Sequence, residues 1–235
     1  MAFVPAGRLL FLGPSRRLRG YAAGAVQLLA IAGVWLAVSL ALGELDPLGS
    51  TAGVHRVAAD TAALLTVEHY TGLQYVDQAL RHVPVIAGQW LYLLPHFAGT
   101  FVFGLWLYRR HRPVWLLERW VLLAVVVLAL VSFAVAPVAP PWMLGLGDGT
   151  PQLHGNVASA GIDMVAAYPS LHVAVAAWVA HAGRRAGASR LVWLYPVVVA
   201  VFVVASGNHY SIDALAAFAL VAAAGRLVSP VRGGD

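Results

Sequence analysis

Apolar residues fall in six long blocks along the chain, separated by short polar or Pro/Gly-rich breaks. The first, about Gly20 to Leu42, reaches the roughly 20 residues that a helix needs to cross a bilayer. The second runs from about Pro84 to Tyr108 and ends in Arg109-Arg110-His111-Arg112-Pro113. The third, about Trp120 to Val138, ends in Ala136-Pro137-Val138-Ala139-Pro140-Pro141-Trp142, where prolines stop a helix. The fourth starts near Pro169 and stops at Gly183-Arg184-Arg185, the fifth covers about Leu191 to Ala205, and the sixth about His209 to Leu227. Residues 43–83 break this pattern with Glu44, Asp46, His55, Arg56, Asp60, Glu68, His69, Asp77, Arg81 and His82, which predicts one or two amphipathic helices near the membrane surface. The expected fold is all-α, a six-transmembrane-helix bundle with an amphipathic outer-side segment between spans one and two. It forms a single integral membrane domain over 1–235, with an N-terminal anchor and amphipathic loop over 1–83 and a core of five spans over 84–235. A cleaved signal peptide competes for the first block, but its apolar core would be only about 7–15 residues; a retained anchor fits better.

Composition agrees with burial in lipid. Of 235 residues 60% are hydrophobic and 11% charged, with mean hydropathy +0.77, where a soluble domain carries about 25% charged residues. Cysteine is absent, so disulfides, thiolate metal sites and thiol nucleophiles are excluded. The net charge of +5 comes from arginine without lysine, and its placement matters more than its size. Arg8, Arg16, Arg17, Arg19, Arg109, Arg110, Arg112, Arg119, Arg184, Arg185, Arg190, Arg226 and Arg232 fall at the two tails and in alternate loops; only Arg56 and Arg81 fall in the others. The positive-inside bias therefore puts both termini in the cytoplasm. Tyr168 to His172, Ser206 to Asp213 and Pro137 to Trp142 then share the outer side. No basic patch with interleaved aromatics points to a nucleic-acid partner.

Two polar clusters interrupt the apolar sequence there. In Ser206-Gly207-Asn208-His209-Tyr210-Ser211-Ile212-Asp213, His209 and Asp213 are one helical turn apart, so the carboxylate can hold one imidazole N–H and make the other nitrogen more basic. That suits a nucleophile or general base. A buried His/Asp pair at this spacing also serves as a plain structural hydrogen bond; a membrane setting and a second cluster, Tyr168-Pro169-Ser170-Leu171-His172, argue for more. Pro169 suits a first helical position. Two helix N-termini facing one cavity would offer unpaired N–H donors and a positive field, an anion site for which phosphate is the usual occupant. One His attacking phosphorus, Asp213 orienting it and the second His protonating the departing oxygen complete a phosphoryl-transfer set. A zinc site on His172, His209 and Asp213 is the rival arrangement, but the two clusters offer no further carboxylates to orient such ligands.

Pro169-Ser170-Leu171-His172 and His209-Tyr210-Ser211-Ile212-Asp213 resemble the second and third motifs of the type 2 phosphatidic acid phosphatase superfamily, membrane lipid phosphatases and phosphotransferases. Ala139-Pro140-Pro141-Trp142 and Gly207-Asn208-His209-Tyr210 are similar to its inositolphosphotransferase branch, which includes inositol phosphorylceramide synthase. The likeness covers about residue 90 to the C-terminus. It implies that His209 becomes phosphohistidine, Asp213 orients it, and His172 is the acid/base for the leaving alkoxide. It also implies that Ser170 binds phosphate through hydroxyl or backbone and that neither metal nor cofactor is needed. The implied substrate is a lipid phosphate or phosphodiester held at the extracytoplasmic face. The chain departs from the family at its cationic positions. The first motif is not present: Arg112-Pro113 matches its end by letter, but Leu105 stands in place of its Lys and the pair falls on the cytoplasmic side; Trp142 stands where many members of the branch have Arg, and Phe202-Val203 replaces the third motif's Ser-Arg. Helix N-termini, Asn208, His96 or an arginine of the 43–83 loop would have to hold the phosphate.

Further candidates for substrate contact are Tyr168, Pro169, Ser206, Gly207, Trp142 and His96. Tyr168 and Trp142 also fit an interfacial aromatic belt, and His96 fits either a cavity wall or a bond to a neighbouring helix. Asp148, His154 and Asp163 read as solvated loop polars. Two non-catalytic readings remain alongside: a transporter or lipid-binding protein using the same cavity for an anion, which would show repeat symmetry or broken helices, and a structural subunit whose 43–83 loop docks a partner.

Overall fold

A computed structural model describes residues 14–44, 48–82, 88–146 and 165–228. Asp46, Asp148, His154, Asp163, Arg8 and Arg232 lie outside the described residues. Helices α1 (Pro14–Glu44), α2 (Thr51–Thr71), α3 (Leu73–Arg81), α4 (Gly88–Arg110) and α5 (Arg112–Val135) are followed by a 3-10 turn at Pro141–Leu144. Then come α6 (Leu171–Arg185), a second 3-10 turn at Arg190–Trp193, α7 (Leu194–Ala205) and α8 (Ser211–Val228). The described residues contain no strand; Val138 and Ala166 form one isolated bridge. α1, α5 and α8 contain stretches long and apolar enough to cross a membrane, Tyr21–Val38, Arg112–Val135 and Ser211–Val228. α6 has 15 residues, about 22 Å at 1.5 Å per residue, shorter than the expected fourth span.

α5 begins eight positions before the expected start at Trp120 because its polar residues find partners inside the bundle. Pro113 is tolerated in the first turn. Trp115 Nε1 and Arg119 both donate to Gln27 Oε1 of α1 at 3.0 Å. Glu118 is fully buried, 3.2 Å from Arg185 Nε and 3.2 Å from His181 Nδ1, while Trp178 donates its indole N–H to the Glu118 carbonyl. This staple joins α5 to α6 at the arginine-bearing helix ends. Small residues set the spacing there: a Cβ on Gly225 of α8 would come within 3.1 Å of the His181 ring. The main core runs through α5, α6 and α8, where Val125, Ala129, Ala174, Ala177, Trp178, Ala217 and Val221 interlock.

α2 carries one buried stripe, Val57, Thr61, Leu64 and Glu68, at the spacing of an amphipathic helix. Ser50 caps it by accepting from Gly53 N at 3.1 Å, and Gly72 ends it in the left-handed conformation at φ 75°. The stripe is covered by protein: Leu64 packs with Val138, Ala167 and Tyr210, and Val57 with Ala139 and Val165. α2 and α3 thus sit on the ends of α5, α7 and α8 that carry the polar clusters.

Candidate active site

α6 and α8 both start at this end of the bundle. Ser170, not Pro169, is the N-cap of α6: its hydroxyl accepts from Val173 N at 3.4 Å, and Pro169 lies one residue before it, after a cis peptide bond from Tyr168. Ahead of α8 the chain reverses at Gly207, whose φ of 72° favours glycine. The turn is closed by Gly207 N to Val204 O and by Asn208 N and His209 N to Val203 O. Ser206 donates to Val203 O at 3.2 Å and accepts from Asn208 Nδ2 at 2.8 Å, and Trp142 N donates to Gly207 O at 3.1 Å. Ser206, Gly207, Asn208 and Trp142 therefore build the loop that presents His209.

The expected His209–Asp213 pair is present and has a second acceptor. Nδ1 of His209 is 2.9 Å from the Ala167 carbonyl and 3.3 Å from Asp213 Oδ2. A carbonyl only accepts, so Nδ1 carries the hydrogen and the lone pair is left on Nε2. The side chain of Asp213, fully buried, also accepts from Tyr210 N at 2.9 Å, while its Oδ1 has no hydrogen-bond partner. Tyr210 donates its hydroxyl to Ala139 O at 3.0 Å, tying this turn to the proline-rich segment after α5.

His172 faces His209, ring centroids 5.8 Å apart and edge-on, and His96 of α4 lies 5.9 Å beyond His172. His96 Nδ1 pairs with the Tyr195 hydroxyl of α7 at 2.7 Å, so it is both a cavity wall and a bond to a neighbouring helix. The three imidazoles head a cavity of about 430 Å³ whose other walls are almost wholly apolar: Leu28, Ile31 and Trp35 of α1, Phe97 and Phe101 of α4, and Leu122, Val126 and Phe133 of α5. No arginine lines it among the described residues. Of the residues singled out in the sequence, His96, His172 and His209 face this space; Tyr168 instead packs on the Leu64–Tyr210 cluster, and Pro169 and Ser170 are buried beside it.

The pair of open helix N-termini anticipated for an anion is not what the fold provides. Ser211 N donates to Asp77 Oδ1 and Ile212 N to Glu68 Oε1, each at 2.9 Å, so two carboxylates from α2–α3 occupy the start of α8. The N–H of Ser170 goes to the Asp213 carbonyl at 3.2 Å, linking the two clusters through backbone and leaving the Ser170 hydroxyl as its remaining donor. Arg56, a candidate for the missing cation, donates to the carbonyls of Ala134 and Val135 at the end of α5 and lies 3.8 Å from Asp60. No group of three or more His, Asp and Glu side chains among the described residues is arranged to hold a metal ion. Glu68, Asp77 and the Ala167 carbonyl were not legible as site residues; the helical spacing of Glu68 with Val57, Thr61 and Leu64 was the available signal.

The model of the PAP2 superfamily matches residues 57–227, which takes in most of α2 and all of α3 as well as the part of the chain that carries the motifs. No curated protein and no solved structure matches the chain. A match over more than two thirds of its length, with both histidine clusters inside it, means that this chain belongs to the PAP2 superfamily.

Proposed function

We propose that the protein is a membrane lipid phosphatase or phosphotransferase that works through a phosphohistidine on His209. The observation that carries this reading is the meeting of His172 and His209 at the polar end of an apolar cavity, with Nδ1 of His209 held by Ala167 O and Asp213. Nε2 of His209 attacks phosphorus, the bond from phosphorus to the lipid oxygen breaks, and His172 gives that alkoxide its proton. Water or an alcohol then yields a proton to His172 and attacks the phosphohistidine, and the P–N bond breaks. Asp213 stabilises the positive charge that the ring gains. An apolar cavity of this size suits part of a hydrocarbon chain, which supports a lipid substrate. His96, Ser170, Tyr168, Pro169, Asn208, Gly207, Ser206 and Trp142 supply or shape the surroundings of the headgroup.

Topology supports the same reading. α6 and α8 run from His172 and His209 to Arg185 and Arg226, and α5 runs from Arg112 toward the site, so these arginines and the two site histidines occupy opposite helix ends. With six crossings, α1 and α4 to α8, and α2–α3 on the outer side, the positive-inside bias leaves the active site outside. The Pro140-Pro141-Trp142 and Gly207-Asn208-His209-Tyr210 segments favour the inositolphosphotransferase-like branch, in which an alcohol is the acceptor. The test uses purified full-length protein in detergent with a lipid phosphate labelled at phosphorus. Label should appear on the protein in an acid-labile, base-stable form and be absent from His209→Ala. Full turnover by His209→Ala would end the proposal.

A further inference from the structure

Three consecutive amides at the start of α8 each donate to a buried carboxylate: Tyr210 N to Asp213, Ser211 N to Asp77 and Ile212 N to Glu68. Only Asp213 belongs to α8. Glu68 and Asp77 come from α2 and α3, are each 2% exposed, and are brought side by side because they accept from consecutive amides. Three more bonds hold α2 to the same face: Arg56 donates to the Ala134 and Val135 carbonyls at the end of α5, and Thr61 Oγ1 accepts from Ala139 N at 3.0 Å. The signs are chosen well, with a cation at a helix C-terminus and carboxylates at an N-terminus.

Three ionised carboxylates in so small a buried volume repel one another. Asp77 Oδ2 is buried and accepts from no N–H or hydroxyl, which is the environment of an oxygen that accepts from a neighbouring carboxylic acid. We propose that Glu68 and Asp77 are positioning residues that share one proton and fasten the first turn of α8, so that His209 stays on Asp213 and Ala167. The segment between the first two spans is then part of the catalytic unit. The catalytic half of this inference rests on the function proposed above; the shared proton does not.

The groups facing Glu68 fit. Burial, then the hydrogen bond with Asp77, push Glu68 up to about 8 against the opposing bond from Ile212 N, and the charges of Asp77 and Asp213 add to the rise. Tyr210 is the neighbouring phenol, and Arg81 of α3 is the cation that acts on it. Because Glu68 is raised from 4.5 to about 8, the folded protein holds a proton that the unfolded chain has lost across that window. Stability therefore falls as pH rises from 4.5 to about 8 and levels off above it.

Glu68→Gln mimics the protonated acid: its carbonyl accepts from Ile212 N and its amide donates to Asp77. Glu68→Ala removes both contacts. The full chain in detergent is melted across pH 5–9, about the window given by such a raised carboxyl, and its turnover of a labelled lipid phosphate is measured over the same range. We expect Glu68→Ala to lose about tenfold or more in kcat with KM changed less than about twofold. Glu68→Gln should recover most of that loss and flatten the pH dependence of Tm. Wild-type kcat in Glu68→Ala, or a Glu68→Gln variant whose Tm follows pH as the wild type does, overturns the proposal. A wild-type protein without phosphoryl turnover would remove the functional reading, while the Tm comparison still decides the shared proton.

Discussion

Replacing Asp213 by Asn separates the two jobs a carboxylate can do beside a nucleophilic histidine. Tyr210 N needs an acceptor 2.9 Å away, so the Asn oxygen takes the place of Oδ2 and its amide nitrogen the place of the unpartnered Oδ1. His209 Nδ1 keeps the Ala167 carbonyl at 2.9 Å, its shorter bond, and with it the tautomer. What is lost is the charge facing the imidazolium. Exchanging a charged for a neutral hydrogen bond removes about 1 kcal/mol. At 3.3 Å and an effective dielectric near 20, the full Coulomb term is about 5 kcal/mol. At 1.36 kcal/mol per decade, kcat should fall between about fivefold and a few thousandfold. KM should change little, because the charge develops only as phosphorus is attacked. Single-turnover measurement of label transfer to His209 isolates that step. Wild-type kcat in Asp213→Asn would mean that the carboxyl bears no charge when His209 reacts. Complete loss, equal to that of His209→Ala, would mean that Ala167 does not hold the tautomer. Either result refutes the reasoning.

Two further outcomes follow from the packing. Glu118→Ala removes the carboxylate that Arg185 and His181 share, both of them partly solvated, and should lower stability by about 2–4 kcal/mol; an unchanged Tm in detergent would show that the buried cluster does not staple α5 to α6. Ala32→Trp places a large side chain in the cavity wall contributed by α1, so KM should rise about tenfold for long-chain lipid phosphates. A short-chain substrate should be affected far less, and equal effects on both would place the hydrocarbon elsewhere.

The contribution of α1 shows how the cavity extends past the matched region. The family match starts at Val57, yet Leu28, Ile31 and Trp35 form one wall of the cavity. α1 is held there by Gln27, which receives the N–H groups of Trp115 and Arg119, and by glycines at its crossing with α4. A Cβ on Gly104 would come 2.8 Å from Leu28, and one on Gly24 2.8 Å from Tyr108. A segment that reads as an anchor thus also shapes the site.

The helical class, the apolar blocks and the His209–Asp213 spacing were determined by the sequence alone, because each depends on local periodicity and on the high penalty for placing polar groups in lipid. The same is true of the placement of Arg112, Arg185 and Arg226 away from His172 and His209. Only the tertiary structure decided which amides at the start of α8 are occupied, since Glu68 and Asp77 precede Ser211 and Ile212 by more than 130 residues and no local rule pairs them. It also decided that Ala167 shares Nδ1 of His209, that Ser170 gives its N–H to Asp213, and that Arg56 caps α5 rather than facing a phosphate. Each of these is a backbone group satisfied across the fold, and a backbone amide carries no signature in sequence of the partner it will find.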